Sequence, residues 1–64
     1  MLIKLESVGS VLDTKELMIY PLNENESIDL ESGVELINVE ADWFQSLSEE
    51  DSINVHLAEI NYFS

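Results

Sequence analysis

The chain has 64 residues and a formal net charge of -12 at pH 7, because fourteen Asp and Glu face only two Lys and no Arg. That balance excludes direct binding to nucleic acid or to an anionic membrane surface, both of which need several cationic contacts. A chain of this length predicts one small acidic domain, residues 1–64. Because it has no cysteine, disulfides and thiolate metal sites are excluded, and the core must be stabilised by packing or by a partner.

Alternation of apolar and polar residues predicts strands in the first third of the chain. The pattern runs from Met1 to Val8, and Gly9-Ser10 interrupts it. Val11–Thr14 and Leu17–Leu22 are both rich in strand formers, and the short Lys15-Glu16 connection between them predicts a β-hairpin.

The middle of the chain predicts a loop followed by another strand. Residues 23–27 are polar, charged and rich in turn formers. From residue 28 the alternation returns, and Ser32-Gly33 predicts a turn or bulge within it. The apolar residues expected on one face of this strand are Ile28, Leu30, Val34 and Leu36. The acidic residues expected on the other face are Asp29, Glu31 and Glu35.

The last third of the chain predicts helices. Ala41–Leu47 has the spacing of a short helical turn, for which Asp42 is a candidate N-cap. Ser48 is a strong N-cap signal, because three acidic residues follow it where the positive end of a helix dipole lies. The sequence therefore predicts an α+β fold, with a small antiparallel sheet of three or four strands and a C-terminal helix.

The apolar residues of the C-terminal segment fit two patterns. Ile53, Leu57 and Ile60 are spaced as a helical stripe of the kind that faces a core. Ile53, Val55 and Leu57 also alternate as in a strand. The cap at Ser48 favours helix.

Nothing in the sequence indicates an enzyme or a cofactor site. His56 is the single histidine, and a lone histidine of this kind is most often solvated. Gly9 and Gly33 are too few for a phosphate-binding loop, and so small a domain has little volume for a substrate cleft. We expect neither catalysis nor a cofactor.

A calcium loop is the one metal site that the acidic middle segment resembles. From Asn23, oxygen-bearing side chains occur at alternate positions, as in an EF-hand. However, Ile28 stands where that loop requires Gly, and Val34 stands where it requires Glu. The segment is therefore interpreted as a solvated loop, and no metal ion is expected.

The acidic surface itself suggests a function. On a strand, Asp29 and Glu31 would lie roughly 6.6 Å apart on one face, which is comparable to two phosphate steps of about 3.4 Å along DNA. The net charge also exceeds the roughly 2 to 8 units that solubility asks of a small domain, although solubility alone is the simpler explanation. The predicted partner-binding residues are Asp29, Glu31 and Glu35, followed by Glu49, Glu50 and Asp51.

An apolar interface is the alternative. Trp43, flanked by Glu40 and Asp42, would anchor such an interface within an acidic rim. A homodimer would enlarge the small core, although a charge of -12 on each protomer opposes it. No apolar run reaches the roughly 18 residues of a membrane span, and no secretory signal pattern follows Met1, so a cytoplasmic location is expected.

Several segments resemble short acidic phage proteins that are uncharacterised. They are Val11–Thr14, Met18–Leu22, Asp29-Leu30, Gly33-Val34 and Trp43–Asp51. In size and charge the chain is also similar to phage inhibitors that imitate DNA and block host or defence proteins. The resemblance implies a phage protein in the host-cell cytoplasm that binds a basic bacterial protein. Candidates are RNA polymerase, a restriction or CRISPR nuclease, and a nucleoid protein.

Overall fold

A four-stranded antiparallel sheet carries two C-terminal helices in the computed structural model, which describes all residues, 1–64. The strands are β1 (Leu2–Leu5), β2 (Ser10–Asp13), β3 (Met18–Pro21) and β4 (Val34–Glu35), and the helices are α1 (Ala41–Gln45) and α2 (Glu49–Phe63). The strands pair in chain order, β1-β2-β3-β4. The predicted α+β fold with a C-terminal helix is therefore confirmed.

The first three strands form a meander whose register places one apolar face inward. Ile3 pairs with Leu12, which pairs in turn with Ile19. Because successive side chains on a strand point to opposite faces, these three residues share one face. Gly9 closes the β1–β2 connection with φ of 60°, a conformation that glycine adopts without steric cost.

The predicted hairpin between residues 11 and 22 is confirmed, and side-chain hydrogen bonding shapes its turn. The Asp13 carboxylate accepts a hydrogen bond from the backbone N–H of Lys15 at 2.9 Å. Leu17 has a left-handed backbone with φ of 55°, which is unusual for a leucine. Its side chain is buried in the core, and that burial offsets the backbone strain.

The strand expected over residues 28–36 is mostly wrong. Leu30–Ser32 forms a 3-10 turn, and β4 is only two residues long. The Asp29 carboxylate accepts from the Glu31 N–H at 3.2 Å, and such local side-chain bonding competes with a strand. The four apolar residues of this segment therefore do not share a buried face: Leu36 is buried, whereas Leu30 and Val34 are exposed.

Gly33 lies where the segment of residues 28–36 passes close to Tyr20 of β3. A Cβ added at Gly33 would overlap the ring of Tyr20. The turn predicted at Ser32-Gly33 is present, since the 3-10 turn Leu30–Ser32 ends at Gly33. The structure adds a close approach of Gly33 to an aromatic ring, a second common use of glycine.

The helical predictions hold, apart from one cap. Helix α1 occupies most of the predicted helical turn, but its N-cap is Glu40 instead of Asp42, because the Trp43 N–H bonds to the Glu40 carbonyl at 3.1 Å. Ser48 caps α2 as predicted, since its hydroxyl accepts from the Asp51 N–H at 3.2 Å. Neither helix combines the length and apolarity that crossing a membrane requires.

One hydrophobic core lies between the sheet and α2. Its seven buried members are Leu5, Leu12, Leu17, Ile19, Leu36, Val55 and Ala58. Helix α2 contributes two of them, and neither belongs to the stripe of residues 53, 57 and 60 that the sequence placed toward the core. That stripe faces away from the sheet.

Candidate partner-binding surface

Helix α2 has two opposite faces of very different exposure. With 3.6 residues per turn, positions 51, 55 and 58 lie on one side of the helix, and positions 53, 57 and 60 lie on the other. The inner side chains Asp51, Val55 and Ala58 are 7%, 2% and 4% exposed. On the other side, Ile53, Leu57 and Ile60 are 54%, 52% and 63% exposed. We call these three residues the outer stripe.

A polar network fixes the rotation of α2 at its first turn. The Ser7 hydroxyl donates to the Asp51 carboxylate at 2.5 Å, and the Ser7 N–H donates to the same oxygen at 3.1 Å. The Ser7 hydroxyl also accepts from the Ser48 N–H at 3.0 Å. These bonds connect the 3-10 turn after β1 (Glu6–Val8) to the start of α2 across more than 40 residues, and they hold Asp51 on the inner face of the helix.

The Asp51 carboxylate is held in its charged form. The hydroxyl of Ser7 lowers the pKa of Asp51 most strongly, and the Ser7 N–H and the Ser48 hydroxyl lower it further. Burial acts in the opposite direction, but the pKa stays below its ordinary value. Asp51 is therefore a structural carboxylate, and little of it is accessible to a partner.

Shallow clefts extend the outer stripe toward the sheet. Leu57 lines a cleft of about 580 Å³ together with Met1, Ile3 and Tyr62. Tyr62 also lines a second cleft of about 500 Å³ that includes Ile37 and Phe63. Because Tyr62 belongs to both clefts, the exposed apolar surface continues from the outer stripe past the C-terminal end of α2.

Few of the negative charges have a basic partner. Lys4 and Glu26 form an ion pair at 2.8 Å, which raises the pKa of Lys4 and lowers the pKa of Glu26. His56 lies 3.8 Å from Glu59 and carries charge only when protonated. Of the fourteen carboxylates in the chain, the other twelve have no basic side chain within ion-pair distance.

The first group of acidic residues that the sequence singled out does not lie along one strand. Asp29 is half-buried and caps the 3-10 turn, whereas Glu31 and Glu35 are exposed. Because Asp29 and Glu31 lie on that turn and not on an extended strand, the expected 6.6 Å row is wrong.

The second group lies at the start of α2. Glu49 and Glu50 are exposed there, and Asp51 is buried. Glu50 and Asp51 line a polar cleft of about 550 Å³ together with Lys4 and Glu6. No local sequence pattern indicates Glu6, because it reaches this cleft only when the 3-10 turn after β1 lies beside the start of α2.

Trp43 is less exposed than the outer stripe. Its side chain is half-buried and packs against the core, with the Phe44 ring edge-on at a centroid distance of 5.2 Å. The Trp43 side chain thus contributes to folding, and the outer stripe of α2 exposes more apolar surface than Trp43 does.

No group of three or more His, Asp or Glu side chains is arranged to hold a metal ion. Comparison with known proteins found no matching family model, no matching curated protein and no matching solved structure. The function must therefore be inferred from the charge and the surface geometry of this chain.

Sequence reasoning missed Ser7 and the direction of the outer stripe. No local pattern indicates that Ser7 contacts residues 48 and 51, because that contact depends on the complete fold. The inner face had a signal, since Asp51, Val55 and Ala58 have the same i, i+4, i+7 spacing as the outer stripe. Ile53, Leu57 and Ile60 are larger and more apolar, so the sequence predicted that they would face the core.

Proposed function

We propose that this chain is a non-catalytic binding protein that occupies a basic, nucleic-acid-binding surface of another protein. The observation that carries the proposal is the excess of unpaired carboxylates, twelve of fourteen, in a domain with one Lys–Glu ion pair. Such a surface attracts Lys-rich and Arg-rich partners and repels nucleic acid. DNA and this chain would then compete for the same site.

In this proposal the chain is a phage protein that acts in the cytoplasm of a bacterial host. A small acidic protein that works by stoichiometric binding needs no catalytic site and no cofactor. The candidate targets are RNA polymerase, a defence nuclease and a nucleoid protein, which all bind nucleic acid through basic surfaces.

A capture experiment that compares the native chain with a charge-reduced variant tests the proposal. The variant carries Gln at four exposed acids that have no basic partner: Glu16, Glu24, Glu31 and Glu40. Both proteins are immobilised, incubated with a bacterial lysate and washed across a salt series, and double-stranded DNA is then added as competitor.

We expect the native chain to retain a defined set of basic proteins that elute with rising salt and with added DNA. The four-Gln variant should release the same proteins at lower salt, because fewer charge pairs form. Recovery of no basic protein, or identical elution from both proteins, would contradict the proposal.

A second function is favoured by the outer stripe of α2. The chain would then be an interaction module that binds through apolar contacts, with its acids as a soluble rim. Under that alternative, binding persists at high salt and DNA does not compete.

A further inference from the structure

We infer that the outer stripe of α2 is the surface on which the basic partner docks, and that the partner presents an apolar strip flanked by Lys or Arg. The inference rests on the proposed function and adds the contact surface and the chemistry of the partner. It gives the charge a role in attraction and the apolar stripe a role in holding the complex together.

The outer stripe is an exposed apolar surface. Ile53, Leu57 and Ile60 form a continuous row, and each is more than half exposed. Burying the exposed part of these side chains against a partner would add hydrophobic stabilisation that the free chain does not have. Contiguous apolar surface beside shallow clefts is typical of protein interaction sites.

Exposed acids lie beside the row at the start of the helix. Glu49 and Glu50 are exposed in the first turn of α2, and the helix contains no Lys or Arg. Its last turn also lacks a basic residue, so the negative end of the helix dipole is uncompensated. A complementary surface therefore has an apolar centre and a cationic border.

Charge also decides against the other occupants of this surface. A second copy of the chain would bring another net charge of -12 against the same face, and like charges across an interface oppose association. Nucleic acid and anionic lipid are repelled for the same reason. A basic amphipathic segment satisfies both the apolar row and its acidic border.

The dimensions of the row suit a short helical or extended segment. From Ile53 to Ile60 the helix rises about 10.5 Å, which is two turns of a partner helix. The cleft lined by Met1, Ile3 and Leu57 lies beside the row and can receive a side chain at its edge.

Two synthetic peptides test the inference directly. One is an 18-residue amphipathic peptide with Leu at helical spacing and Lys elsewhere, and the other is a scrambled peptide of the same composition. Binding to the native chain is measured by calorimetry at 50 mM and 300 mM NaCl. The test variant is Ile53→Gln with Ile60→Gln, which keeps good helix formers on α2.

The matched control removes two apolar residues elsewhere that are at least as exposed, Leu2→Gln with Leu30→Gln. We expect the amphipathic peptide to bind the native chain at least tenfold more tightly than the scrambled peptide at 300 mM NaCl. The α2 variant should lose that preference, and the control variant should keep it. Circular dichroism checks that both variants are folded.

Different failures have different meanings. If both peptides bind equally and only at low salt, the docking inference is overturned while charge-led binding stands. If neither peptide binds at 50 mM NaCl, the proposed function fails as well. A native dimer in sedimentation that Ile53→Gln with Ile60→Gln dissociates would overturn the inference in favour of a second copy. Should the α2 variant fail to fold, methyl NMR of the native chain replaces it, and unchanged Ile53 and Ile60 signals on peptide addition would overturn the inference.

Discussion

The two faces of α2 have the same spacing, yet one packs against the sheet and the other is exposed to solvent. The inner face consists of a carboxylate, a valine and an alanine, whereas the outer stripe has two isoleucines and a leucine. The less apolar face is therefore the buried one. Its small side chains allow close packing on the sheet, and the hydrogen bonds of Asp51 to Ser7 fix its orientation. The packed face of α2 is thus the one with the smaller side chains and the polar anchor, and the more hydrophobic face is exposed.

The largest expected effect is the difference in stability between an aspartate substitution on the inner face of α2 and one in the outer stripe. Val55 is 2% exposed, so Val55→Asp places a charge in the core at a cost of several kcal/mol. A domain of this length has a total stability of about 3 to 10 kcal/mol. We expect Val55→Asp to be largely unfolded and Leu57→Asp to be folded, as measured by circular dichroism and urea unfolding. Equal unfolding of the two variants would show that the outer stripe is also packed.

Replacing Asp51 or Glu50 by its neutral amide should show that only the buried carboxylate contributes strongly to the free energy of unfolding. Asp51→Asn weakens charge-assisted hydrogen bonds to Ser7, and we expect a loss of about 1 to 3 kcal/mol in the free energy of unfolding. Glu50→Gln, one residue away and exposed, should change it by less than about 0.5 kcal/mol. Urea unfolding at pH 7 measures both values, and a larger effect at Glu50 would contradict the role of Asp51.

The contribution of Asp51 should also depend on pH. Its pKa is lower in the folded chain than the ordinary value of 3.8. A depressed pKa stabilises the fold fully above the ordinary value, and that stabilisation is lost as the pH falls through the folded-state pKa.

The measurement is the stability difference between the native chain and Asp51→Asn at several pH values. We expect a constant difference above about pH 5, because the unfolded carboxyl is then ionised, and a shrinking difference at lower pH. Acidification also weakens the repulsion among the other carboxylates of the chain. Because this effect is the same in the native chain and in Asp51→Asn, it cancels in the difference between their stabilities. A difference that grows on acidification would reverse the assigned sign.

The smallest expected effect is the change in melting temperature when the exposed ion pair of Lys4 is removed. Lys4→Gln removes the one Lys–Glu ion pair and leaves Glu6 and Glu26 without a nearby cation. We expect a lower melting temperature in 10 mM NaCl than for the native chain, and a narrower difference in 500 mM NaCl, because salt screens exposed charges. Lys15→Gln, which removes a lysine without an ion pair, is the matched control. A salt-independent effect at Lys4 would indicate packing instead of charge.

Local signals predicted the elements whose structure depends on nearby residues. The β2–β3 hairpin follows from two runs of strand formers around a short connection, and α2 follows from the cap at Ser48. The segment around Asp29 could not be predicted by alternation, because a side-chain hydrogen bond to the Glu31 N–H favours a turn there.

The candidate surface was harder to predict than the fold. Glu49, Glu50 and Asp51 were identified as a group, but burial of Asp51 depends on Ser7, which is 44 residues away. The exposure of Ile53, Leu57 and Ile60 depends on that same contact. Periodicity finds apolar faces on a helix, and tertiary anchors decide which of them remains free to bind a partner.

Solvent accessibility of individual methyl groups distinguishes the exposed face of α2 from the buried one. In methyl-labelled protein, a soluble gadolinium chelate broadens the NMR signals of exposed methyl groups and spares buried ones. We expect strong broadening of Ile53, Leu57 and Ile60 and protection of Leu12, Leu36 and Val55. Protection of the three outer methyl groups in a monomeric sample, with broadening of Val55, would contradict this expectation.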